Sequence, residues 1–165
     1  MNEYILEHYT LTIDDKADGK STFIFIPVDS VKTKALEKEG RKIYIIKSKK
    51  EVLYIGEADT SIKTRFQRGF NSYNHFIKTG KARGGYKGYK WLNKKDNPVR
   101  NLDVYVAIFK SFKNDREIIE AIEGELVFLI RKKTRNWTKF QNEIHFHNND
   151  KAKEIALSIF NKLKI

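Results

Sequence analysis

The chain has 165 residues, of which 40% are hydrophobic, 13% aromatic and 33% charged, and this composition excludes a disordered protein and predicts one globular domain spanning residues 1–165. Thirty-three Lys and Arg residues against 21 Asp and Glu residues give a formal net charge of +12, which favours a polyanionic partner such as nucleic acid. No run approaches the ~18 apolar residues of a membrane span, the start lacks the pattern of a signal peptide, and cysteine is absent. We therefore expect a cytoplasmic protein with no membrane partner, no disulfide and no thiolate metal site.

Short runs rich in β-branched and aromatic residues predict four strands in the first third of the chain. These runs are residues 4–13, 22–28, 42–46 and 52–56. The last two flank the short polar connection KSKKE and predict a hairpin. If residue 47 pairs with residue 51, Tyr44 lies directly opposite Tyr54 on the same face of the hairpin.

A helix is predicted to follow the hairpin, because Asp59 and the two hydroxyl residues after it offer an N-cap. Ile62, Phe66 and Phe70 then recur at the spacing of an apolar helical face. Arg65 lies beside that face. Residues 71–101 mix glycine, lysine and aromatic residues without a clear period, and this predicts an irregular insertion.

The second half of the chain predicts one strand and two helices. Residues 102–109 form a strand, and the stretch from Asn114 to Glu117 resembles a capping box that opens a helix to about Lys133. A lysine-rich helix begins at about residue 150. Together the elements predict an α/β (α+β) domain with a small central sheet, mixed or antiparallel, flanked by helices.

Glu123 is the second informative residue, because it falls in the middle of an apolar stripe of the long helix. At about 100° per residue, the stripe consists of Ile119, Leu126, Val127 and Ile130. Glu125 points to the opposite side and Glu120 to the edge of the stripe. An ionised carboxylate among apolar residues costs free energy unless a cation or hydrogen-bond donors meet it. The residues alone leave open a partly exposed glutamate, an ion pair with an arginine, and a metal ligand.

The order of these features resembles the GIY-YIG nuclease superfamily. The matching elements are KIY at 42–44, YIG at 54–56, a helix with Arg65 and a later helix with Glu123. The resemblance covers about residues 42–130, so the N-terminal strands and the C-terminal helix are additions to the family's core. It implies an endonuclease that uses Mg²⁺ or Mn²⁺ to hydrolyse phosphodiester bonds in DNA, with RNA left open as a substrate.

The resemblance also implies a role for each matching residue. Tyr44 would be the general base, Tyr54 would orient the water or a phosphate oxygen, Arg65 would bind the phosphate and Glu123 would be the one protein ligand of the metal. Two residues depart from the family pattern: Lys42 replaces the first glycine, and Glu57 follows YIG where a lysine is common. A free tyrosine has a pKa of about 10 and needs nearby cations to act as a base. Arg65, Lys63, Lys42 and the metal are the candidate cations.

The sequence GGYKGYKW, at 84–91, alternates cations with aromatic residues. Cations meet phosphates and aromatic rings stack on bases, so Lys87, Lys90 and Trp91 are candidate nucleic-acid contacts, together with Arg68. A solvated loop whose aromatic rings pack into the core is an equally good interpretation.

The sequence EIHFHN, at 143–148, follows the long helix. If it is extended, Gln141, Glu143 and His145 share one face and are candidates to flank the site. His145 and His147 have the spacing of a metal pair but lack a third ligand, and the role of Asn148 is open. Either Asn136 or Asn142 is a candidate for the polar residue that the family often carries after its glutamate helix.

An alternative function is a nucleic-acid-binding module that kept the scaffold and lost cleavage, and the oligomeric state is left open.

Overall fold

The computed structural model describes residues 3–28, 33–112, 115–141, 143–163 and 165. They form an α+β protein with a five-stranded antiparallel sheet and three α-helices. The strands are β1 (Ile5–Asp15), β2 (Ser21–Pro27), β3 (Arg41–Lys47), β4 (Val52–Ala58) and β5 (Asn101–Phe109). The helices are α1 (Ile62–Thr79), α2 (Arg116–Thr134) and α3 (Asp150–Phe160). The predicted fold class is confirmed, and the sheet is antiparallel throughout, with the order β2-β1-β5-β3-β4.

Helices cover both faces of the sheet, because successive strand residues point to opposite sides and both sides are apolar. On one face, β3 and β5 residues such as Ile46 and Val106 pack with Phe66 and Phe70 of α1. On the other face, residues such as Ile45 pack against α2 and α3. The continuous apolar runs in β3 and β5 are therefore those of strands buried on both sides.

The β3–β4 hairpin carries both tyrosines on one face but in a different register from the predicted one. Tyr44 lies opposite Gly56, and Tyr54 lies opposite Ile46. The prediction that Tyr44 faces Tyr54 directly is wrong, because Lys47 pairs with Val52 rather than with residue 51 and an irregularity between Ile46 and Lys47 shifts the pairing by one more residue. The displacement is an even number of residues, so the two side chains stay on the same face, with ring centroids 6.0 Å apart.

Helix α1 starts within the predicted cap stretch but ends later than the sequence indicates. Of the three residues that offered an N-cap, Ser61 is the cap, since its side chain accepts a hydrogen bond from the backbone N–H of Thr64. The helix continues to Thr79 and ends at Gly80, which has a φ of 68°. The irregular insertion predicted for 71–101 is therefore wrong as far as Thr79, because the buried Tyr73 continues the apolar face.

The two later helices agree with the sequence. Helix α2 is capped by Asp115, whose side chain accepts a hydrogen bond from the N–H of Ile118. The predicted capping residue Asn114 lies outside the described residues. Helix α3 begins at Asp150, as predicted. In the described part of the chain, no helix has both the length and the apolarity needed to cross a bilayer.

Candidate active site

A cleft of about 570 Å³ opens where β4, α1, α2 and the segment that follows α2 come together. We call that segment, residues 136–141 and 143–148, the return segment. The cleft is lined by Tyr54 from β4, Arg65 from α1 and Glu123 from α2. Three of the four residues expected from the resemblance therefore reach one cavity. The fourth, Tyr44, lies behind Tyr54 and does not line the cleft.

Glu123 is held in the cleft by a hydrogen bond to the return segment. The Gln141 amide nitrogen donates to its Oε1 at 3.1 Å, and the Gln141 amide oxygen accepts from the N–H of Ile55 at 3.1 Å. Among the described residues, no arginine, lysine or histidine forms an ion pair with Glu123. Burial, followed by the charges of Glu57 and Glu120, raises the pKa of Glu123 to about 8. The carboxylate is therefore placed where a cation would stabilise its ionised form.

The two motif tyrosines differ in their access to the cleft. Tyr54 is partly exposed, whereas Tyr44 is 0% exposed and its hydroxyl is hydrogen-bonded to the hydroxyl of Tyr89, 3.2 Å away. Burial raises the pKa of Tyr54 to about 12, with the charge of Glu123 as the next cause. Burial likewise raises the pKa of Tyr44 well above 10. Both phenols are therefore protonated near neutral pH in the protein by itself.

Two glycines make room for this group of tyrosines. A Cβ at Gly56, the glycine of YIG, would lie 2.6 Å from the Tyr44 hydroxyl oxygen. A Cβ at Gly69 of α1 would lie 2.1 Å from the ring of Tyr89. The sequence indicated Tyr89 only as one aromatic residue of GGYKGYKW and did not predict its contact with Tyr44. The small residue at Gly69 was a signal of close approach, but it does not say which ring approaches.

Arg65 projects into the cleft over aromatic rings. Its guanidinium carbon lies 5.5 Å from the ring centroids of both Tyr86 and Tyr89, and its Nη1 donates to the Tyr86 hydroxyl at 3.5 Å. No Asp or Glu of the described residues forms an ion pair with it. Its charge is oriented but not neutralised, as a phosphate-binding arginine requires.

Glu57, the residue after YIG, is bound by two arginines. Its carboxylate lies 3.5 Å from Arg41 and 3.4 Å from Arg116. Lys42, a candidate cation for activating the base, is also engaged elsewhere: its ammonium donates to the carbonyls of Glu39 and Gly40, each at 2.8 Å. Lys42 does not line the cleft, which leaves Arg65 as the motif cation beside the tyrosines.

The glycine-rich loop divides its side chains between the cleft and the core. Lys87 and Lys90 line the cleft, as does Tyr86. Of the two interpretations that the sequence left open for Trp91, the structure agrees with packing into the core, because its ring is 1% exposed and stacks on Tyr89 at a centroid distance of 4.8 Å. Residues 89 and 91 point inward together, so they belong to the core. Arg68 is exposed on α1, outside the cleft lining.

The return segment supplies the three residues that were expected to flank the site. Gln141, Glu143 and His145 all line the cleft. His147 instead lies 3.8 Å from Glu117 and 3.7 Å from Glu120, so the two histidines do not converge.

The polar residue that contacts the glutamate of α2 is Gln141 rather than either candidate asparagine. The Asn136 side chain donates to the carbonyl of Thr134, and Asn142 lies outside the described residues. Asn148 accepts a hydrogen bond from Lys153 at 2.8 Å and has no part in the cleft lining.

The donor set of the cleft fits a mostly hydrated divalent ion. No group of three or more His, Asp and Glu side chains converges as a metal cage among the described residues. Mg²⁺ keeps several of its waters and is commonly held by one or two carboxylates. Glu123, which is desolvated and forms no ion pair with any of the residues described, has the chemistry of such a ligand, with Gln141 fixing one of its oxygens.

No protein-family model, curated protein or solved structure matches the chain. The candidate function therefore depends on the residues of the cleft and on their geometry.

Proposed function

We propose that this chain is a metal-dependent endonuclease of the GIY-YIG type that hydrolyses phosphodiester bonds in DNA. The observation that carries the proposal is the joint presence of Tyr54, Arg65 and Glu123 in one cleft. Each of them is ordinary as a single residue, but a phenol, an unneutralised guanidinium and a desolvated carboxylate together supply the groups that phosphodiester hydrolysis needs.

Glu123 would hold Mg²⁺ or Mn²⁺, and Gln141 would orient its carboxylate. A divalent ion bound there supplies stabilisation of the negative charge that grows on the phosphate and on the leaving oxygen. Because the pKa of Glu123 is about 8 in the protein by itself, metal binding requires the loss of its proton. Gln141 stabilises the ionised form, since its N–H₂ group donates to Oε1.

Arg65 would bind a non-bridging oxygen of the scissile phosphate, with Lys87 and Arg116 on the walls of the cleft attracting the flanking backbone. The ionised fraction of Tyr54, after loss of the phenolic proton to solvent, would take the proton of the attacking water, because a general base must be within hydrogen-bond reach of the water and Tyr54 is the motif phenol that lines the cleft. Tyr44 would position Tyr54 from behind, as part of the buried pair it forms with Tyr89.

The test is the nicking of supercoiled plasmid DNA by the purified chain in Mg²⁺, in Mn²⁺ and in EDTA. We expect nicking in either metal and none in EDTA. Glu123→Gln removes the charge of the metal ligand and should lower the rate by about 10²-fold or more. Glu125→Gln is the matched control, because Glu125 is on the same helix but outside the cleft lining, and it should keep the wild-type rate. Equal rates in the two variants would overturn the metal-ligand assignment.

A second candidate function is nucleic-acid binding without cleavage. Two observations favour it: Tyr44 is fully buried, and Glu57, where a cation is common in the family, is paired with arginines. Arg65 lowers the pKa of Tyr54 but does not offset its burial, so with a pKa of about 12 the phenol is almost fully protonated at neutral pH. Tight, salt-sensitive DNA or RNA binding with no nicking in either metal would establish this module in place of the nuclease.

A further inference from the structure

A second pocket, of about 390 Å³, lies on the C-terminal half of α2, away from the residues of the cleft. We call it the basic pocket; its lining residues are Phe128, Arg131, Lys132, Arg135 and Trp137. Phe128, Arg131 and Arg135 are spaced by three and four residues, so they follow one face of the helix. The pocket thus combines three cations and two aromatic rings and has no acidic residue in its lining.

The rings of the basic pocket are unusually open to solvent. Phe128 is 46% exposed and Trp137 is 48% exposed, although most of the aromatic residues of this chain are buried. The Arg131 guanidinium carbon lies 4.4 Å from the centroid of the Trp137 ring. This cation–π contact fixes the ring and the charge relative to each other before any ligand arrives.

The cations of the basic pocket are not neutralised. Across the described ranges, no Asp or Glu forms an ion pair with Arg131, Lys132 or Arg135. Arg135 also adopts a φ of 65°, and it is the one non-glycine residue with positive φ in the described part of the chain. Glycine or asparagine usually occupies this position after a helix, because a Cβ is strained there. A long cationic side chain therefore stands where a small residue would stabilise the fold better.

We propose that the basic pocket binds a single-stranded segment of nucleic acid, with a base stacked on Trp137 or Phe128 and the neighbouring phosphates on Arg131, Lys132 and Arg135. Exposed rings beside unpaired cations are the combination that single-strand binding uses. The concave shape accommodates a planar base, whereas a membrane surface would require a protruding apolar face.

The pocket extends the nucleic-acid surface beyond the cleft. Glu123 of the cleft and Arg131 of the pocket are about 12 Å apart along the axis of α2 at 1.5 Å per residue. The return segment contributes to both places, with Gln141 in the cleft and Trp137 in the pocket. The inference shares its class of partner with the proposed function, but it requires neither a metal nor cleavage.

The chain offers an internal optical probe, because its two tryptophans differ in exposure: Trp91 is 1% exposed and Trp137 is 48% exposed. We would titrate the full chain in EDTA with 20-nucleotide oligo-dT and follow tryptophan fluorescence, and measure affinity by the anisotropy of the labelled oligonucleotide. We expect quenching in the wild type. Trp137→Ala should remove the quenching and weaken binding by about 5- to 150-fold, the range that one stacked base contributes.

Two controls separate a specific contact from general effects. Phe146→Ala removes another exposed ring of the return segment that does not line the pocket, and it should leave the affinity unchanged. Arg131→Gln with Arg135→Gln should weaken binding more than Lys94→Gln with Lys95→Gln, which removes the same charge from exposed residues outside the pocket. Oligo-rU in place of oligo-dT should also quench Trp137, because stacking does not require a deoxyribose.

Three results would overturn the inference. The first is unchanged affinity in Trp137→Ala, and the second is equal quenching by inorganic polyphosphate, which has charge but no bases. The third is a change in Trp137 fluorescence with phosphatidylserine vesicles and none with oligonucleotide. Because the titrations contain EDTA, failure here leaves the nicking assay untouched. Binding of oligo-dT through Trp137 without any nicking of plasmid would support the inference about the basic pocket and contradict the proposed nuclease function.

Discussion

Glu123 is the residue on which the proposed chemistry depends most. Its neighbours on the stripe of α2 are buried, and its carboxyl group accepts a hydrogen bond from Gln141 but forms no ion pair with the described residues. The charge of Arg65 lowers its pKa but does not offset the burial. Burial holds its pKa at about 8. A carboxyl group with so high a pKa destabilises the fold once it is ionised, and groups perturbed in this way are common at functional sites.

The first prediction is that Glu123→Gln stabilises the protein at alkaline pH. The folded pKa of about 8 lies above the ordinary glutamate value, so the folded state holds the proton that the unfolded state has released. Wild-type stability should therefore fall as the pH rises from about 4.5 to about 8, and this fall should be much smaller in the variant. The test is urea unfolding of both proteins without metal at pH 4.5 and at pH 8.5. We expect the free energy of unfolding of Glu123→Gln, minus that of wild type, to be roughly 2–5 kcal/mol more favourable at pH 8.5 than at pH 4.5. A parallel pH dependence in the two proteins would contradict the burial of this carboxyl group.

The second prediction concerns the two motif tyrosines. Tyr54 lines the cleft and Tyr44 does not, so Tyr54→Phe should lower the nicking rate by about 10²-fold or more, and Tyr44→Phe by a smaller factor. Because a base with a pKa near 12 is almost fully protonated at neutral pH, the wild-type rate should rise with pH between 7 and 9. A larger loss in Tyr44→Phe would return the role of base to Tyr44.

At the scale of elements, the sequence predicted what depends on local periodicity and missed what depends on tertiary contact. The strands and α2 were predicted because their apolar patterns are regular, and the same pattern placed Glu123 on the stripe. The hairpin register was missed because the turn is one residue longer than expected and an irregularity beside Lys47 shifts every pair beyond it by one more residue. Helix α1 was cut short because polar residues separate Phe70 from Tyr73, which continues its buried face. Trp91 and Tyr89 could not be placed from sequence, since their partners lie on α1 and β3.

The third prediction tests the packing of α1 against the glycine-rich loop. Gly69→Ala adds a methyl group 2.1 Å from the ring of Tyr89, so the ring must move and the fold should lose about 1–3 kcal/mol. Tyr89 contacts both Tyr44 and Arg65, and its displacement should also lower the nicking rate. Gly80→Ala is not a suitable control because Gly80 has a φ of 68°, whereas Gln67→Ala changes an exposed position of the same helix and should be nearly neutral. Urea unfolding of both variants measures the difference.

The fourth prediction concerns the end of α2. Arg135→Gly relieves the positive φ of this residue and should stabilise the protein by about 0.5–1 kcal/mol, because the strain of a Cβ there exceeds the added flexibility of glycine. The same substitution should weaken oligo-dT binding, since it removes one cation of the basic pocket. Lower stability in the glycine variant would show that the arginine side chain is retained for the fold rather than for a ligand.

At the scale of the whole molecule, the cleft and the basic pocket lie along one helix and one return segment. Both add cations to a chain whose formal net charge is +12. The sheet fixes the relative positions of β4, α1 and α2, so the residues of the cleft are held by rigid elements rather than by loops alone. The composition of the sequence already indicated a polyanionic partner, but only the fold locates the two surfaces that would meet it.

The most direct test of the central claim is the nicking rate of supercoiled plasmid as a function of Mn²⁺ concentration, measured at pH 6 and at pH 8 for wild type and Glu123→Gln. If Glu123 holds the metal, the Mn²⁺ concentration that gives half-maximal nicking by wild type should be at least about tenfold higher at pH 6 than at pH 8, because protons compete for the carboxylate. Glu123→Gln should show no saturable response at either pH. A wild-type curve that does not shift with pH, together with an unchanged curve for Glu123→Gln, would contradict the claim that this cleft is a metal-dependent nuclease site.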